Sequence, residues 1–112
     1  MDSILTSIKK LLGIEEEYKH FDADLIMHIN SVFSILTQMG VGPAGGFSIT
    51  GDGETWSDFI ADRPNDFSLV KSYVHLKVKL LSDPPLGSAV IESINRQISE
   101  FEWRLFVAAD PI

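Results

Sequence analysis

Ile91, Ile94, Ile98, Phe101 and Leu105 stand three and four residues apart in unbroken alternation. Only a helix brings every one of these positions to the same side, because its period is ~3.6 residues. The pattern opens at Ser88, a good N-cap. On the outer faces Glu92 precedes Arg96 and Glu100 precedes Arg104, an i, i+4 order worth ~0.2–0.5 kcal/mol per pair. The C-terminal part of the chain is therefore an amphipathic helix with one stripe to bury. The rest of the chain must supply the surface that covers it.

Three upstream stretches carry the same period. Ser3 or Asp2 caps a short first helix with Ile4, Leu5, Ile8, Leu11 and Leu12 on its apolar side, and Gly13 ends it as a left-handed C′ residue. After the link "EEEYKHF", Asp22 is the expected N-cap of a second helix. There Leu25, Ile29, Val32, Leu36 and Met39 fall at helical spacing, Ile26 and Phe33 flank them, and Gly40 ends the run. A third helix is predicted from Asp66 to Ser82. It has two apolar stripes, Phe67, Val70, Val74, Val78 and Leu81, and Leu69, Tyr73, Leu76 and Leu80. A helix apolar over that width is central or shared with a partner. "DPPLG" breaks it, since paired prolines remove donors and force extended backbone.

Six of the eight glycines lie between the second and third helices, in "GVGPAGGFSITGDGETW". Gly40, Gly42 and Gly45 formally match GxGxxG, but that fingerprint must follow a strand and open a helix, and Pro43 removes an amide that would face phosphate. No Gly-Lys-Ser/Thr follows for a P-loop. A calcium loop needs a run of alternating carboxylates and a distal glutamate, and "TGDGET", with its lone Asp52, lacks that pattern. Alternation in "FSIT" and "ETW" around "GDG" is instead a hairpin signal, with Phe47, Ile49 and Trp56 pointing to one side. A short helical turn through Trp56, Phe59 and Ile60 then closes at Arg63-Pro64. At 112 residues the chain is one domain. The predicted fold is all-α: a small four-helix bundle over residues 1–112 with a glycine-rich β-hairpin or loop insertion between the second and third helices.

Catalytic chemistry finds little support. Cysteine is absent, so thiolate sites and disulfides are excluded. Asp24 and His28 stand at i, i+4 near His20 and Asp22, but two ligands do not make a metal site. Lys71, His75 and Lys79 recur every fourth residue, as a basic stripe for an acidic partner or as a solvated face. Glu15, Glu16 and Glu17 fit a solubilising link. No nucleophile elbow is present. No catalytic, cofactor-binding or metal-binding residue is assigned, and the chain is read as a non-enzyme. Sixteen acids against nine bases leave a net charge of −7, which opposes a phosphate-gripping surface. No apolar run approaches the ~20 residues of a membrane span, and the N-terminus lacks the order of a signal peptide. The end is the oddity. "WRLFVAADPI" stays apolar past Leu105 and stops at Pro111, so residues 106–112 are expected to form a docking tail.

Taken together, the amphipathic start "ILTSIKKLLGI", the glycine-rich insertion leading to "TWSDFI", the middle helix "VKSYVHLKVKLLSDPP" and the close "INRQISEFEWRL" resemble the head–tail connector (adaptor) proteins of tailed bacteriophages. The resemblance implies a structural virion protein, made in the bacterial host cytoplasm and placed at the head–tail interface. Such proteins form a ring, commonly dodecameric, between the portal and the stopper or tail, and extend the DNA exit channel. It implies three kinds of partner: the portal protein, a stopper or tail-completion protein, and further copies of the same chain. It implies no sequence-specific nucleic-acid binding, no membrane and no cofactor. The portal-docking segment of the family would fall on Phe106, Val107, Ala108, Ala109, Asp110, Pro111 and Ile112. The glycine-rich segment, with Phe47, Ile49, Gly51, Asp52, Gly53 and Trp56, would contact neighbouring subunits or the stopper. The competing reading is a small acidic helical regulator or inhibitor that binds a host protein.

Overall fold

A computed structural model describes residues 3–60 and 67–109. Five helices follow in order: α1 (Ile4–Leu11), α2 (Asp22–Gln38), α3 (Trp56–Ile60), α4 (Phe67–Ser82) and α5 (Ser88–Ala109). Among the described residues there is no strand, and the one β-type contact is an isolated bridge between Ser3 and Thr55. The fold is all-α as expected. It has four longer helices plus the single turn predicted around Trp56. The expected helix start at Asp66 and the Arg63-Pro64 closure lie outside the described residues.

The ends of α1 and α2 follow from local sequence. Ser3 caps α1, its Oγ accepting from the Thr6 amide at 3.2 Å. At the other end Gly13 takes φ +80°, and the amides of Gly13 and Ile14 donate to the carbonyls of Lys10 and Lys9. That 5→2 and 6→1 pair is a Schellman motif. Gly40 (φ +86°) and Val41 repeat it on Thr37 and Leu36 to end α2.

Asp22 departs from its expected role. The cap position of α2 is Phe21, with no side-chain cap, and Asp22 is the first helical residue. Its carboxylate lies 2.8 Å from Lys9 Nζ, and Lys9 is only 2% exposed. The same ammonium donates to the backbone carbonyls of Glu16 at 3.0 Å and Tyr18 at 2.7 Å. A buried cation must be paired and hydrogen-bonded to be tolerated. That demand outweighs the ~1 kcal/mol of a cap. The charge thereby ties the link between α1 and α2 to the α1 face.

Helix α4 is the centre, as its width suggested. It packs on α1, α2 and α5, with Val70, Tyr73, Val74 and Val78 buried. The stripe of α5 meets it through Ile94, Ile98 and Leu105. Tyr73 Oη donates to Glu102 Oε2 at 2.7 Å, and Lys77 Nζ stands 3.9 Å from that same oxygen. Burial first, then the Glu102 contact, pushes the Tyr73 hydroxyl well above its ordinary range, so it stays a donor. The result is a flat body of 42 × 35 × 19 Å.

The glycine-rich segment is a loop, and the hairpin expectation is corrected. Its two arms form no backbone ladder with each other, because the backbone of each finds another partner. Asn30 on α2 acts as a one-residue strand for Ile49: Nδ2 donates to the Ile49 carbonyl at 2.9 Å, and Oδ1 accepts from the Ile49 amide at 2.7 Å. The returning arm meets the start of α1, where the Ile4 amide donates to the Glu54 carbonyl at 3.0 Å. Between them Glu54 Oε2 accepts from the amide and the hydroxyl of Thr50, both at 2.9 Å. Partial burial pushes the Glu54 carboxyl up, but bonds from Thr50 and from the Gly51 and Glu54 amides outweigh it. Its pKa lies below the ordinary carboxylate value.

Candidate interaction surfaces

The loop turns its apolar residues inward. Trp56 is 1% exposed and Ile49 2%, while Phe47 packs partly buried against both Phe33 and Phe59. Phe33 is the hub, with Phe59 at 4.6 Å, Phe47 at 5.3 Å and Trp56 at 6.3 Å between ring centroids. Aromatic pairs at such spacing add to plain burial. Gly42 makes this closeness achievable: at φ +91° an added Cβ would lie 2.4 Å from the Phe59 ring. Of the six loop residues singled out from sequence, Phe47, Ile49 and Trp56 are thus held by their own core. Asp52 and Gly53 are exposed at the tip, and a Cβ on Gly51 or Gly53 would meet nothing.

Helix α5 does the reverse. Leu105 is fully buried, and Trp103, two residues earlier, sits ~200° around the helix from it. Trp103 is 67% exposed, Phe106 58% and Val107 50%. They stand at i, i+3 and i+4, so the three form one apolar patch on the outer face. The anchor at Glu102 adjoins Trp103, and Arg104 closes on Glu100 Oε1 at 2.8 Å. Helix α5 is thus tied to α4 at Glu102 and Leu105, while Trp103, Phe106 and Val107 present large apolar side chains to solvent. Helix α5 runs through Ala108 and Ala109. Asp110, Pro111 and Ile112 lie outside the described residues. Trp103 was not among the expected docking residues. Its signal was present all the same: a tryptophan standing off an otherwise strict apolar stripe.

The other polar groupings resolve differently. Asp24 and His28 share one wall of a groove, but among the described residues no group of three His, Cys, Asp or Glu could hold a metal ion. Along Lys71, His75 and Lys79 the middle residue is half-buried against α1. Burial first, then the neighbouring Lys79 ammonium, holds the His75 imidazole below its ordinary range, while a hydrogen bond to the Leu11 backbone works the other way. The stripe is thus two separated cations with a largely neutral ring between them. Among the described residues no helix is long and apolar enough to cross a membrane.

A family model described as phage connector protein matches residues 4–111. No curated protein and no solved structure matches the chain.

Proposed function

The chain belongs to the phage connector protein family and is a structural virion component that contacts other virion proteins; from that membership we propose that it builds the adaptor ring between the portal and the stopper or tail. The observation that carries the docking half of this reading is the exposed patch of Trp103, Phe106 and Val107 near the end of α5. Three large apolar side chains in one exposed cluster, beside polar neighbours, mark a contact surface. In this reading residues 106–112 enter the portal, and Trp103 extends the same anchor back along α5.

The ring reading assigns the loop tip at Gly51, Asp52 and Gly53 to the neighbouring subunit or the stopper. A closed ring needs a head-to-tail contact between unlike surfaces, and the tip and the α5 end are two unlike surfaces of one chain. A net charge of −7 suits a channel wall that must not hold DNA phosphates.

The test is co-purification with the portal protein encoded in the same genome, with mass by light scattering. The adaptor reading expects a closed complex with copies of this chain in ring stoichiometry. A chain shortened by residues 107–112 should keep its helical circular dichroism and lose attachment. A well-folded portal that never captures the intact chain would overturn the proposal.

A further inference from the structure

A groove of about 380 Å³ opens where the ends of α1 and α4 meet the start of α2. Leu12, Ile14, Phe21 and Leu81 give it apolar walls over the buried Leu25, while Asp24 and Asp83 stand exposed on its rim. Its volume falls within the ~300–1,000 Å³ typical of ligand sites. Phe21 is 45% exposed and Leu81 52%, so apolar surface is left uncovered there.

Three independent features give the groove one electrostatic preference. The rim carboxylates Asp24 and Asp83 face it, and Glu15, Glu16 and Glu17 follow directly on Ile14. Helix α4 ends at Ser82, so its carbonyl end, the negative pole of a helix, opens at the same rim. Phe21 also belongs to a cluster with Tyr18 and His20, whose ring centroids lie 4.9–6.0 Å apart. Exposed Tyr and Phe faces favour a guanidinium or ammonium group. Apolar walls ringed by acid, a helix C-terminus and aromatic faces select a ligand that is apolar and cationic at once.

We propose that this groove docks a segment of another protein that inserts aliphatic or aromatic side chains between Leu12, Ile14, Phe21 and Leu81 and sets Lys or Arg against Asp24 and Asp83. A second copy of this chain is the poorer fit. The apolar patch of α5 is flanked by Glu100 and Glu102, and its Arg104 is already engaged by Glu100. The groove lies on other elements than the α5 patch and the loop tip. The inference therefore stands or falls apart from the adaptor reading.

The probe is a short helical peptide with a leucine stripe flanked by Lys and Arg, titrated into the isotope-labelled full chain and followed by amide NMR shifts. Two controls carry the same stripe flanked by Glu, or the same residues scrambled. The basic peptide should bind saturably, with shifts concentrated at residues 12–14, 21–28 and 81–83. Asp24→Asn with Asp83→Asn should weaken it about tenfold, and raised salt should do the same by screening. Leu81→Asp, at an exposed position, should remove binding without loss of fold. Equal binding of the Glu-flanked or scrambled peptide, absence of saturation, or shifts gathered at residues 103–107 would each overturn the proposal. So would concentration-dependent broadening of the groove amides without peptide, since the occupant would then be a second copy.

Discussion

Trp56 follows a glycine-rich loop and is 1% exposed, whereas Trp103 lies in the longest helix and is 67% exposed. The loop has little regular structure, yet it is fastened at Ile49 by Asn30, at Glu54 by the start of α1, and at Gly42 by the fit of the Phe59 ring. The helix is regular, yet its last turns offer their largest side chains to solvent. Regularity is thus a poor guide to which region is core. What separates the two is where the backbone donors and acceptors of each are satisfied. A helix closes its own hydrogen bonds and can leave a face bare. A loop must find outside partners, and here those partners pull it inward.

Substitutions can break this contrast, starting with the tryptophan in the core. Trp56→Ala should cost ~3–5 kcal/mol, the range for emptying a large buried aromatic site. Urea unfolding followed by circular dichroism reads that cost directly, and a loss below ~1 kcal/mol would show the loop to be peripheral. Gly42→Ala comes next, at ~1–3 kcal/mol for overpacking against Phe59, with the positive φ adding strain. Gly51→Ala or Gly53→Ala, which meet open space, should by contrast leave stability near wild type.

Asn30→Ala strips Ile49 of both backbone partners and should cost ~1–3 kcal/mol, the desolvation penalty of unsatisfied groups. Faster hydrogen exchange at the Ile49 amide, with α5 unchanged, would locate the loss in the loop.

Glu54 gives the smallest effect and a definite sign. Its folded carboxyl pKa lies below the ordinary value of 4.5. Its contribution is therefore fully present above that value and lost as pH falls through the lower folded one. In thermal melts against pH, Glu54→Gln should lower stability slightly at neutral pH and converge with wild type as pH falls through the acid limb. An unchanged acid limb would remove the carboxylate from the account.

The elements that rest on neighbouring residues were legible in the sequence. Gly13 and Gly40 mark helix ends because a Schellman cap is built within six residues. The stripes of α4 and α5 follow from period alone. What escaped the sequence depends on distant partners. Asn30 and Ile49 are 19 residues apart, and no period announces an amide side chain replacing a strand. Hairpin alternation was therefore read where the structure has a loop. The sequence likewise offers Asp22 only as a cap and does not join it to Lys9, because the burial that pairs them is set by the link wrapping over α1. The docking surface was half legible. Phe106 and Val107 announce themselves as apolar residues beyond the stripe, whereas Trp103 is marked only by standing off a stripe that runs on either side of it.

The central claim is that the α5 end is surface kept for a partner while the loop is core. Trp103→Ala, Phe106→Ala and Val107→Ala together, compared with wild type for melting and for portal co-purification, test it most directly. The account predicts a melting curve shifted by no more than the ~0.5 kcal/mol per site usual for surface changes, with portal capture lost. A clear drop in stability, or capture that survives the triple substitution, would contradict it.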